Sequence, residues 1–227
     1  MRALLAQLPH GRTLPAASWR ARHRALLVVL WAHVPGLALF AVHAGQAPAH
    51  ALLDVAPVAV LALLGSMPRA GRRLPVAFVA LGLLTCSALA VHLSGGMIEA
   101  HFHFFVAVAA LALYEDWTAF GLALGYVVLH HGLFGALAPE SVFAHASGAR
   151  DPWRWASVHG AFIGALSLIS LFTWRANERA REERRVAHEL ADGAVVVELT
   201  FAGADYLVRE VLKEAGDAAV LEPGEAR

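Results

Sequence analysis

Six stretches of mostly apolar residues, each near the length of a membrane span, constrain this chain more than any other feature of its sequence. A transmembrane helix needs about 20 consecutive apolar residues. Each stretch is bounded by a loop signal of glycine, proline or charged residues. The stretches run roughly over residues 24–43, 50–67, 75–93, 97–114, 117–137 and 153–174. The pattern predicts an all-α polytopic membrane protein with six transmembrane helices.

Composition excludes several other classes of protein. Hydrophobic residues make up 58% of the 227 residues and charged residues 16%, whereas soluble domains average about 45–50% and about 25%. Such a chain is neither disordered nor a soluble globule, and the lipid bilayer is its expected partner. A single cysteine, Cys86, excludes a disulfide framework. A formal net charge of zero provides no global field for nucleic acid.

The arginines predict the orientation of the six spans. They cluster in residues 2–24, 69–73 and 175–185, which an even number of helices places on one side of the membrane. The positive-inside rule makes that side cytoplasmic. The first apolar segment starts late and has no cleavage pattern, so we expect a retained helix. The predicted location is a bacterial inner membrane, with both termini in the cytoplasm.

Four regions follow from this reading of the chain. Residues 1–23 form a cytoplasmic segment, residues 24–174 the transmembrane domain, residues 175–191 a charged helical stem, and residues 192–227 a small tail. In the tail, residues 195–201 and 218–221 are typical of strands and residues 205–215 of an amphipathic helix. A β-α-β unit this small cannot form a core alone. The tail therefore needs a partner, such as a second copy of itself, and we expect a homodimer through helix six and the stem.

The tail carries a family resemblance over about 35 residues. The runs from Asp192 to Leu199, from Tyr206 to Leu212 and from Val220 to Arg227 resemble the C-terminal extension of WYL-domain bacterial regulators. The resemblance implies a ligand-responsive or dimerising appendage. The WYL core and the winged helix that members of that family carry have no counterpart in this sequence.

Histidine is the unusual polar residue of this chain, with thirteen copies. Ionisable groups inside a membrane are costly and usually functional, and neutral imidazole is the commonest protein ligand of transition metals. The predicted topology places nine histidines in the outer half of the membrane or the outer loops: His43, His50, His92, His101, His103, His130, His131, His145 and His159.

Helical geometry limits which of these side chains share one site. Successive residues turn by about 100°, so His101 and His103 point apart, while Glu99 lies on the face of His103. Either His130 or His131 can face inward. We expect His103, one of that pair and His159 to bind the cofactor, with Glu99 as a ligand or as an orienting group. The full candidate set is His101, His103, His130, His131 and His159, with Glu99 and His92 as further metal ligands.

The residues leave the cofactor open between a transition metal, such as copper, zinc or iron, and haem b held by two axial histidines. Proton-linked sensing without a metal also fits a histidine cluster. A transporter for metal or small molecules is the main alternative function, with Asp54 and His33 on a deeper path. A histidine-box di-iron oxidoreductase is disfavoured because the sequence contains no HxxHH motif.

A second resemblance covers residues 18–190. The run from Ser94 to Val106, the run from Leu113 to Trp117, and His130-His131-Gly132 resemble the multi-span N-terminal sensor regions of bacterial chemoreceptors, diguanylate cyclases and histidine kinases. The resemblance implies a sensory input module with a cytoplasmic signalling partner. The sequence has no recognisable kinase, cyclase or methyl-accepting output. We therefore expect a sensor that signals through helix six rather than an enzyme.

Overall fold

The computed structural model describes residues 8–68, 71–144 and 146–188, and every regular element among them is helical. The long helices are α1 (Ala16–His43), α2 (Pro48–Ser66), α3 (Arg73–Leu93), α4 (Ile98–Leu111), α5 (Trp117–Leu129) and α6 (Pro152–His188). The predicted strands of the tail lie outside the described residues. The chain divides into two compact units, residues 1–178 and 179–227, and the described part of the second is the helical stretch 179–188.

Among the described residues, five helical segments are long and apolar enough to cross a membrane. They are Ala16–His43, Pro48–Ser66, Arg73–Leu93, Trp117–Leu137 and Pro152–Glu182. Each overlaps one predicted span, and the first and last extend beyond the predicted bounds. The remaining predicted span, residues 97–114, is the shorter apolar helix Ile98–Tyr114. Its last three residues, Ala112–Tyr114, form a 3-10 turn.

Helix α3 forms the centre of the transmembrane unit. It contacts α1, α2, α4 and α5, and its side chains Val76, Val79, Ala80 and Leu84 are fully buried. The other long helices bury one face and expose apolar side chains on the other, as expected of helices that face lipid. Helix α3 is thus the most deeply buried of the five span-length helices.

Short elements follow α5 and shape the predicted outer side. A π-helical turn, His130–Phe134, and a helical turn, Gly135–Leu137, continue α5. The 3-10 turn Pro139–Ser141 and the short helix Ala146–Arg150 then lead to α6. The loop between them bonds to the turn after α3, because Ala144 donates its backbone N–H to the Gly96 carbonyl at 3.1 Å. Gly96 has φ +77° and no space for a Cβ.

Candidate metal centre

Three histidines from three separate helical segments meet at one point. They are His101 in α4, His131 in the π-helical turn and His159 in α6. One imidazole nitrogen of each lies within 4.8 Å of those of the other two. The distances between ring centroids are 5.1 Å for His101–His131, 5.3 Å for His101–His159 and 4.6 Å for His131–His159. This group is called the histidine triad below.

Backbone hydrogen bonds fix the orientation of each ring in the triad. In all three residues, Nδ1 lies within hydrogen-bond distance of the carbonyl oxygen four residues earlier. The distances are 2.8 Å for His101 to Met97, 2.9 Å for His131 to Val127 and 2.8 Å for His159 to Trp155. A carbonyl oxygen only accepts, so Nδ1 carries the proton in each neutral ring. Nε2 then has a free lone pair for a metal ion, and the hydrogen bond from Nδ1 to the carbonyl oxygen orients the ring.

Burial makes this arrangement costly unless a ligand is bound. His101 and His131 are 3% and 1% exposed, and His159 is half-buried. The Nε2 atom of His131 is buried without a hydrogen-bond partner. An unsatisfied buried polar atom costs about 1–3 kcal/mol. A positively charged ion at the triad would give that nitrogen a partner. The three imidazoles therefore fit the role of metal ligands.

Two local features of the sequence bring the triad together. The π-helical turn inserts an extra residue at the end of α5, and both His130 and His131 are buried there. Gly132 then lies directly under the Trp153 ring, where a Cβ would meet ring atoms at 2.2–2.7 Å. The missing side chain therefore allows the start of α6 to approach the π-helical turn. That approach brings His159 next to His131.

His130 lies beside the triad but outside it. Its ring centroid is 5.1 Å from that of His131, and the ring stacks on Phe134 and Tyr126. Its Nδ1 atom is buried with no hydrogen-bond partner. The choice between the two neighbouring histidines, which the sequence left open, thus falls on His131 for the triad.

His103 has a different environment from the one expected. Its Nε2 lies 3.0 Å from Nε2 of His33 in α1, and its Nδ1 lies 2.8 Å from the Ser87 hydroxyl oxygen in α3. The opposite facing of His101 and His103 follows from helical geometry, but His101 is the residue that joins the triad. Nδ1 of His33 in turn lies 2.7 Å from the Val29 carbonyl oxygen.

One assignment of protons to two neutral imidazoles fits this second group. His33 donates from Nδ1 to the Val29 carbonyl, and His103 donates from Nε2 to Nε2 of His33. Nδ1 of His103 is then an acceptor for the Ser87 hydroxyl at 2.8 Å, which also has the Leu83 carbonyl at 3.2 Å as an acceptor. We therefore interpret it as a hydrogen-bonded contact between α1, α3 and α4. Sequence reasoning missed the pair, although the position of His33 near the middle of the first span was a signal.

The remaining predicted ligands do not lie in the triad. Glu99 and His92 are both exposed. His145 lies outside the described residues. In the alternative path for a transporter, Asp54 lies 3.7 Å from His50, one turn earlier in the same helix.

The fold and the triad define a helical membrane protein with a buried cluster of imidazoles near one end of the bundle. The chain is similar to the transducer protein Htr8 of Halobacterium salinarum, with 38% identity over 194 residues. That alignment covers 80% of this chain but 30% of the relative, so the chain spans under a third of that protein's length. No solved structure matches the chain.

The second comparison concerns the end of the chain. Residues 168–227 match the model of the WCX domain, a WYL-associated C-terminal region. The match agrees with the predicted relationship of the tail and starts earlier than predicted, within α6. The part of the matched region that the structure describes, up to His188, is helical.

Proposed function

We propose that this chain is a membrane sensor module that binds a transition-metal ion at His101, His131 and His159 and signals through α6. The observation that carries the proposal is the convergence of three oriented imidazole nitrogens within 4.8 Å. Three neutral imidazoles with no carboxylate among them suit zinc or copper. The bound ion supplies a positive charge that links α4, α5 and α6.

The geometry of the triad favours a single ion over haem. Haem b with two axial histidines needs a porphyrin plane between two facing rings. Here the third ring lies within 5.3 Å of both others, in the space that a porphyrin would need. The bis-histidine haem alternative therefore receives less support than a metal ion held by all three residues.

The route of the signal follows from the position of His159. The helix that holds this ligand continues without a break to His188, beyond the membrane-spanning part. A shift of His159 therefore reaches the stem along one continuous helix. The transducer relative supports a signalling role for this part of the chain. The predicted orientation, with both termini in the cytoplasm, places the triad in the outer leaflet.

Metal titration of the purified full chain in lipid nanodiscs tests the proposal. We expect about one Zn²⁺ or Cu⁺ ion per chain, and loss of that ion in His131→Ala because two imidazoles hold a metal far less tightly. His103→Ala is the matched control, since it removes a neighbouring histidine outside the triad. Equal loss in both variants, or no binding by the wild-type protein, would contradict the proposal.

A further inference from the structure

The base of α6 is fixed by a buried carboxylate that binds the segment before α1. Glu178 is 6% exposed. It accepts hydrogen bonds from the backbone N–H groups of His10 and Gly11, both at 2.9 Å, and from the Thr13 hydroxyl at 3.1 Å. The indole N–H of Trp174 donates a fourth bond at 2.9 Å. Hydrogen bonds to a charged group are roughly twice as strong as those between neutral groups.

The shape of the segment also fits this position. Gly11 has φ +82°, and a Cβ there would meet the Trp117 ring at 2.8 Å and the Trp174 ring at 3.2 Å. The Trp117 indole donates to the Pro9 carbonyl at 3.2 Å. Glycine is therefore required at position 11 by both backbone conformation and space. Residues 9–13 together with Glu178 are called the latch below.

Backbone strain occurs where the latch meets the loop before α5. Among the described residues, the non-glycine residues with positive φ are Arg12 at 60° and Glu115 at 48°. They are bonded to each other, because the Arg12 N–H donates to the Glu115 carbonyl at 3.1 Å. The Arg12 side chain also pairs with Asp116 at 2.9 Å. Such conformations are strained and persist where surrounding contacts impose them.

The latch and the histidine triad share one helix. His159 and Glu178 are 19 residues apart in α6, about 28 Å at 1.5 Å per residue. Rigid secondary elements that have two discrete arrangements carry energetic coupling between distant sites. The latched arrangement is also the one in which the three imidazoles already converge.

We infer that the latch regulates the histidine triad: the latched packing is the one that binds metal, and loss of the metal releases the base of α6. This inference rests on the proposed metal site. Linkage makes the coupling reciprocal, so a broken latch weakens metal binding and bound metal stabilises the latch. Couplings of this kind usually change affinity by about 5–150-fold.

The test measures Zn²⁺ affinity of the full chain in nanodiscs for wild type, Glu178→Ala and Gly11→Ala. We expect binding to be weakened at least about fivefold in both variants. Hydrogen exchange provides the reciprocal readout. Bound Zn²⁺ should slow exchange at the His10 and Gly11 amides of the wild-type protein, because these amides donate to Glu178.

Glu182→Gln is the control, since it alters an exposed carboxylate one turn further along the same helix. Wild-type affinity in Glu178→Ala and Gly11→Ala, with unchanged exchange on adding Zn²⁺, would overturn the latch but leave the metal site in place. Absence of Zn²⁺ binding by the wild-type protein would overturn the proposed function and the latch with it. Circular dichroism and size-exclusion profiles identify a variant that fails to fold, and the second variant then decides.

Discussion

Among single residues, the rotation of α4 about its own axis decides which of its two histidines joins the triad. Successive residues of a helix turn by about 100°, so His101 and His103 lie on opposite faces of α4. Which of the two faces the triad depends on how α4 packs against its neighbours. The structure turns His103 toward His33 and Ser87, where its ring nitrogens have hydrogen-bond partners. The triad then takes His101.

Gly132 offers a test of the site that leaves every ligand in place. Gly132→Ala adds a Cβ at 2.2 Å from the Trp153 ring, so α6 must move away from the π-helical turn. We expect weaker Zn²⁺ binding and a free energy of unfolding lowered by about 1–3 kcal/mol, as for other overpacked sites. Gly121→Ala, which has nothing within 4 Å of its Cβ, should behave as wild type. Unchanged binding in Gly132→Ala would show that the close approach is not needed.

At the scale of elements, the apolar stretches predict the long helices well because span length is set by the membrane. The predicted span 117–137 contains all of α5. The π-helical turn inside that span is not predictable from hydropathy, because it depends on the packing of Gly132 and Gly135 against Trp153 and Phe143. Such turns are frequent at functional sites, and this one positions His131 of the triad.

Deleting one residue from the π-helical turn tests its role. Removal of Leu133, which is 44% exposed, should restore regular α-helical spacing and turn His131 by about 100° relative to the segment that follows. We expect loss of Zn²⁺ binding with helical content retained. Leu133→Ala keeps the chain length and should bind normally. Binding by the deletion variant would mean that the π-helical turn does not place the ligand.

At the scale of the whole molecule, the question is whether the short helix α4 crosses the membrane. Its first turns lie at the triad, and the turn that follows it ends at Tyr114, whose hydroxyl lies 2.7 Å from Nδ1 of His23 in the first half of α1. Helix α4 and the turn after it therefore extend from the triad to the first half of α1. The next residue, Glu115, pairs with Arg22 at 3.1 Å. Six crossings follow if α4 spans the bilayer.

Cysteine labelling in a Cys86→Ala background distinguishes six crossings from five. With six, a membrane-impermeant reagent added outside intact cells should label Ala47→Cys and Glu140→Cys, but not Met67→Cys. All three positions are exposed. Protection of Glu140→Cys alongside labelling of Ala47→Cys would show that α4 does not cross. The predicted orientation would then be wrong for α5 and α6, the helices that position His131 and His159.

X-ray absorption at the zinc edge of the Zn²⁺-loaded full chain identifies the atoms that bind the ion. We expect three imidazole nitrogens at about 2.0–2.1 Å from the zinc in the wild-type protein and in His103→Ala, and loss of this zinc signal in His131→Ala. Oxygen ligands alone in the wild-type protein, or a signal from three imidazole nitrogens that persists in His131→Ala, would contradict a metal centre at the histidine triad.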